Sequence, residues 1–286
     1  MNGKKQSKMR IIIQLVMAIF FNGYLTGFAK GKIFKGSSKG LCVPVLNCYS
    51  CPGATGACPI GALQAVLGGN RHNFSFYVLG FIMLFGIVFG RLICGFLCPF
   101  GLFQDLLHKI PLRKIKIPRI IDKLLRYLKY VFLVIFVILM PIVLTNKFGM
   151  APPYFCKWIC PTGVLEGAFP LISVNDSLKA NLGFLFNWKV GILILTLFAS
   201  ITMYRPFCKY ICPLGAMYSL FNKFSMYQMY VDNEKCTGCK LCEKKCKMGV
   251  EITRNINSLE CIRCGECKSI CPAGAITSGF KEKQLK

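Results

Sequence analysis

Acidic residues and histidines are the scarce components of this chain. Only 11 Asp and Glu stand against 36 Lys and Arg, and residues 1–228 hold just four acids, Asp105, Asp122, Glu166 and Asp176. A stretch so poor in carboxylates offers no acid–base pair, and no nucleotide-binding loop or catalytic triad is visible either. Histidine occurs twice, as His72 and His108, and neither lies in an apolar run. A bis-histidine haem within a membrane is thereby excluded, and both read as surface residues.

What the chain has in excess is apolar surface. Hydrophobic residues make up 54% of 286 positions, and the mean hydropathy is +0.52, too high for a soluble protein of this size. Four runs approach the roughly 20 residues that cross a hydrocarbon core about 30 Å thick: Ile11 to Phe28, Phe76 to Ile93, Leu128 to Thr145 and Lys189 to Phe207. Between the second and third runs lie nine Lys and Arg, from Arg91 to Lys129, whereas Lys147, Lys157 and Lys179 alone separate the third from the fourth. The positive-inside rule puts the first of these connections in the cytoplasm, and both termini with it. Against that, Lys30, Lys32, Lys35, Lys39 and Arg71 follow the first run. The basic amphipathic stretch Ile117 to Tyr130 abuts a span, which favours anionic lipid headgroups over nucleic acid. The first 30 residues have the charged start and apolar run of a signal peptide, but no small-x-small cleavage site follows, which favours a retained span.

Eighteen cysteines carry the chemistry. Near the carboxyl end the spacing C-x-x-C-x-x-C-x-x-x-C occurs twice, as Cys236, Cys239, Cys242, Cys246 and as Cys261, Cys264, Cys267, Cys271. This is the ligand pattern of a bacterial ferredoxin with two [4Fe-4S] clusters, in which the fourth cysteine of each run serves the other cluster. Cluster one is expected on Cys236, Cys239, Cys242 and Cys271, and cluster two on Cys261, Cys264, Cys267 and Cys246. Zinc prefers separated C-x-x-C pairs, and disulfides at these gaps would be strained. Pro272 follows Cys271, but Lys247 follows Cys246, so cluster two is expected to form and to be the more exposed.

A second pattern recurs among the apolar runs. Gly90 to Phe103, containing Cys94-Gly95-Phe96-Leu97-Cys98-Pro99, aligns without gaps to Tyr204 to Met217, containing Cys208-Lys209-Tyr210-Ile211-Cys212-Pro213. Cys156-Lys157-Trp158-Ile159-Cys160-Pro161 is a third copy, and Cys51 through Cys58-Pro59 a looser fourth. The expected architecture is an α-helical integral membrane domain of four spans with a two-fold internal repeat, residues 1–227, and a cytoplasmic α+β ferredoxin domain, residues 228–286. In C-x-x-x-C-P the two sulfurs fall at i and i+4 on one helix face, and the proline is expected to stop that helix. Cys94, Cys98, Cys208 and Cys212 are then candidates for a third [4Fe-4S] cluster, against the plain alternative that small cysteines pack helix ends. On the outer side Cys51, Cys58, Cys156 and Cys160 are the repeat's choice for a fourth, with Cys42 and Cys48 nearby and disulfides as the rival.

These motifs resemble the membrane ferredoxin subunits of the NapH and MauN type, with relatives in the polyferredoxin half of NosR-like proteins. The stretch Asn47 to Gln64 is similar instead to a sub-group of less characterised relatives. The resemblance implies membrane-bound electron transfer, from quinol toward a periplasmic reductase in the NapH type, through Cys94, Cys98, Cys208, Cys212 and the eight ferredoxin cysteines. The expected function is relay between a cytoplasmic donor and quinone or an extracytoplasmic, flavin-bearing partner, in the cell membrane. The alternative is a redox sensor or an accessory protein for maturing a metalloenzyme. Clusters at opposite faces of a bilayer lie too far apart for one hop, so either the cysteine motifs dip inward as half-spans or a carrier connects them.

Overall fold

The computed structural model describes residues 3–69, 75–115, 117–146, 150–180 and 182–280; His72, Arg71, Lys116 and Lys147 lie outside them. Four long helices run between two ends of a helical domain: α1 (Gly3–Phe21), α2 (Phe76–Phe89), α3 (Arg119–Val143) and α4 (Phe184–Thr202). α3 and α4 are long and apolar enough to cross a membrane, with mean hydropathies of 2.0 and 1.8. Only 22% and 17% of their apolar windows are buried, so Val134, Leu139, Leu195 and Phe198 face outward, which suits lipid rather than a soluble core. α1 carries charges in its first half, and α2 has 14 residues, about 21 Å at 1.5 Å per residue. Neither reaches the length and hydropathy of a full span.

Short helices fill the space between the long ones, and the prolines do the opposite of what the repeat suggests. Leu92–Phe96 and Pro206–Tyr210 each end two residues before the cysteine that follows, Cys98 and Cys212. Each of these cysteines is extended, and the proline after it opens a new helix, Pro99–Leu107 and Pro213–Phe221; Cys58 and Pro59–Leu67 behave alike. Proline at the first helical position has no N–H to lose and a φ already suited to the helix. The motif is therefore a helix–cysteine–helix corner.

The carboxyl tail closes with an antiparallel ribbon, β1 (Tyr227–Val231) against β2 (Ile276–Phe280), Tyr227 opposite Phe280. Met229, Met248, Val250, Ile252, Ile256, Ile262 and Ile276 form its core among the cysteines. Buried charge joins the tail to the helical domain. Glu260 takes Arg91 at 2.9 Å and Lys129 at 2.5 Å, and Arg263 donates to the Phe89 and Asn222 carbonyls.

Candidate metal centres

In the tail, the left-handed residues Gly238 and Lys240 flank Cys239, and Arg263 and Gly265 flank Cys264. This conformation curls each loop so that successive N–H groups turn inward, as an anionic cluster needs. Cys236, Cys239, Cys242 and Cys271 line one small cavity; Cys246, Cys261, Cys264 and Cys267 line another. The crossed grouping expected from the spacing is thus the grouping the fold brings together. Exposure runs contrary to expectation. Cys261 and Cys267 are buried, whereas Cys239 is exposed. Cys246 keeps the extended backbone of Cys271 (φ −70° and −69°) although lysine replaces proline after it. Lys247 extends to Glu266 and lies over the Tyr204 ring, and the helical domain covers this side.

Cys94, Cys98, Cys208 and Cys212 are all buried and lie within electrostatic reach of one another. Two fully buried arginines brace them crosswise. Arg91 donates to the Cys208 carbonyl at 3.1 Å, and Arg205, held by Asp105 at 2.6 Å, donates to that of Cys94 at 2.6 Å. Their positive charge favours thiolate and offsets an anionic cluster.

At the opposite end the structure assembles Cys48, Cys58, Cys156 and Cys160 around a cavity of about 650 Å³. Cys51 is not among them. Its thiol turns to the Asn22 side chain at 3.4 Å, beside the end of α1, because the turn Cys48 to Cys51 points successive cysteines to different sides. Cys42 lies instead in a bridge with Ala57. No disulfide forms; all eighteen cysteines are unpaired.

The repeat extends beyond its cysteines. In Cys-Pro-x-Gly-x-x, the residue six after cysteine is Gln64, Gln104, Glu166 or Tyr218. Gln64 accepts the Phe155 N–H at 2.9 Å and donates to the Cys156 sulfur at 3.5 Å; Gln104 treats Phe207 and Cys208 likewise, at 3.2 and 3.1 Å. Glu166 accepts the Cys48 N–H at 2.9 Å. The glycine lies against a partner cysteine: a Cβ would make ordinary contact with the Cys156 sulfur at Gly61, at 3.9 Å, and with that of Cys48 at Gly163, at 3.8 Å. Cys48 thus holds the place that Cys156 holds across the site. Gln64 and Gln104 were legible in the aligned repeats; the choice of Cys48 over Cys51 was not.

Among the described residues no three His, Cys, Asp or Glu side chains converge on a point suited to one ion. The cysteines surround spaces instead, as a cube of iron and sulfur calls for. Burial pushes Cys208 up to about 11 and Cys58 and Cys261 up to about 12, so these thiols keep their protons near neutral pH until a metal displaces them. Buried sulfurs, inward N–H groups and neighbouring arginines all fit [4Fe-4S] clusters.

Such sites define an iron–sulfur electron-transport protein. The 4Fe-4S binding domain model matches residues 71–118, 129–172 and 184–226, and the 4Fe-4S dicluster domain model matches 228–277. An uncharacterised protein of Methanocaldococcus jannaschii is 33% identical over 71% of this chain and 78% of its own. YccM of Escherichia coli, whose name assigns it to electron transport, is 26% identical over 71% of this chain and 55% of its own. The ferredoxin-type protein NapH of the same organism is 25% identical over 68% and 64%. The chain belongs to the 4Fe-4S ferredoxin-type proteins of the NapH/NosR kind. No solved structure matches.

Proposed function

We propose that the chain is a membrane-crossing electron conduit with four cysteine sites in series: Cys236/Cys239/Cys242/Cys271, then Cys246/Cys261/Cys264/Cys267, then Cys94/Cys98/Cys208/Cys212, then Cys48/Cys58/Cys156/Cys160. A [4Fe-4S] cluster, when bound, takes up and returns one electron at a time. The observation that carries the reading is a two-residue bridge. The N–H of Leu46 lies against the Cys98 thiol and the next N–H, that of Asn47, against Cys58, so adjacent peptide groups touch the two quartets of the helical domain. Tyr218, fully buried, lies within reach of Cys94, Cys98 and Cys58 and donates to the Pro44 carbonyl at 3.1 Å. Toward the tail, Gly95 packs so tightly on the Ile262 carbonyl that a Cβ would overlap it. The segment Val45 to Asn47 thus lies buried in the protein, with the Leu46 and Asn47 N–H groups spent on the two quartets, as a gap too wide for one hop demands.

In this reading α3 and α4 cross the bilayer outright, α1 and α2 cross it together with the short helices Thr26–Lys30 and Leu92–Phe96 that follow them, and both termini face the cytoplasm, following the Lys and Arg between α2 and α3. The exposed edge at Cys239 receives electrons from a cytoplasmic donor of the soluble ferredoxin or dehydrogenase class. The cavity beside Cys48 and Cys156 passes them to quinone or to an extracytoplasmic redox partner, flavin-bearing or otherwise. Anaerobic purification with iron and acid-labile sulfide counting tests the site number. About sixteen irons per chain are expected. About eight would confine clusters to the tail, and colourless or zinc-bearing protein would end the proposal.

A further inference from the structure

A second large cavity, about 530 Å³, lies between the tail, the start of α3 and the end of α4. Six cationic side chains line it against three acids, Asp122, Glu243 and Glu251. The internal pairing leaves a surplus of positive charge. Asp122 serves both Arg126 and Lys209, the latter at 2.6 Å, and Lys247 reaches Glu266 at 3.5 Å. Lys114 donates only to the carbonyls of His108, Ile110 and Ile201, so its charge meets no carboxylate. Arg119 and Lys123 are exposed and form no ion pair among the described residues. Both belong to the first turns of a 25-residue helix, whose leading N–H groups lack intrahelical partners and add to the positive field. The wall is not wholly polar: Ile115, Ile117, Ile120 and Met203 line it too. From Ile120, which is 84% exposed, an apolar track continues along α3 through Leu124 at 73% and Leu128 at 37%.

We propose that this cavity binds a phosphate group, and specifically the phosphodiester of an anionic phospholipid whose acyl chain follows the Ile120–Leu124–Leu128 track. Surplus cations, a helix start and an apolar exit together fit an amphiphile with a negative head; a free phosphate shares the headgroup chemistry but has no use for the track. The site borders the quartet that includes Cys246, which lines the same space, but the side chains that would hold the headgroup are cations and isoleucines rather than cysteines.

Native mass spectrometry of the full chain, purified anaerobically in detergent, tests it with three probes: phosphatidylglycerol, phosphatidylcholine and inorganic phosphate. The expected result is one retained phosphatidylglycerol at concentrations where phosphatidylcholine is not retained. The Arg119→Gln/Lys123→Gln variant is expected to bind at least tenfold more weakly. Both side chains are exposed, so iron content should match the parent, and Lys235→Gln/Lys244→Gln in the tail should leave binding unchanged. If inorganic phosphate displaces phosphatidylglycerol at millimolar concentration, the phosphate chemistry stands and a soluble source replaces the lipid. Equal retention of both lipids, or equal binding by parent and Arg119→Gln/Lys123→Gln, overturns the proposal.

Discussion

Gln64 and Gln104 illustrate how a single buried amide couples a backbone to a sulfur. Each is fully buried, accepts one N–H and donates to one cysteine, so a leucine there would strand a donor and remove a hydrogen bond from a ligand. Gln104→Leu is expected to cost about 1–3 kcal/mol of stability. It should also lower the potential of the site holding Cys208, because hydrogen bonds to sulfur stabilise the reduced, more negative cluster. Gln64→Leu should move a different signal, and an EPR-monitored redox titration separates the two. Cys48 gives a sharper test. Cys48→Ser should remove about four irons per chain, whereas Cys51→Ser should leave the iron count unchanged, since the Cys51 thiol faces Asn22. Equal losses in both would return Cys51 to the ligand set. The aligned copies display the glutamines openly, but Cys48 and Cys51 differ in spacing from Cys58 and not in kind. Which of them faces inward depends on the turn Cys48 to Cys51, and that turn is set by contacts with the end of α1 and with Glu166, distant in sequence.

The corners at Cys-Pro and the tail's docking belong to the elements. Proline marks a boundary in any reading of the chain, but whether it ends one helix or begins another depends on the conformation of the residue before it. Here the extended cysteine decides, with Cys212 accepting from the Gly215 N–H at 3.4 Å within the helix it precedes. The docking rests on Glu260, whose single carboxylate is shared by the fully buried Arg91 and Lys129. Glu260→Gln leaves two buried cations without a carboxylate between them and should cost about 3–5 kcal/mol. Denaturant unfolding and protease cleavage near residue 227 read the effect, with the tail released before the helical domain opens. Unchanged cleavage would mean that Arg263 and the Gly95–Ile262 contact hold the tail unaided. The same docking explains why the site of Cys261 and Cys267 is the better covered, which the Lys247 substitution alone did not suggest.

For the molecule as a unit, the proposed conduit makes a demand that neither domain satisfies alone. Cys98→Ser, placed between the tail and the far quartet, should abolish steady current from an inside donor to an outside acceptor in liposomes while the two tail signals persist in EPR. A parent protein that delivers a few equivalents and then stops would mark a sensor instead. Much of this organisation was visible in residue spacing. Three cysteines at two-residue gaps can only wrap one small object, and the apolar runs and the crossed grouping of the tail cysteines follow from local period and spacing, whereas the Cys-Pro corners do not. Two apolar helices of full length stand where the sequence offers four runs, because α1 stops at Phe21 rather than Phe28 and α2 stops at Gly90, whose φ of 54° breaks the helix before Ile93. The bridge at Leu46 and Asn47, the crosswise arginines and the cavity that gathers the cations at the start of α3 are invisible until the chain folds. Spacing along a chain dictates what one loop can hold; which loops meet, and how far apart their sulfurs lie, is fixed by long-range packing of segments that carry no mark of one another.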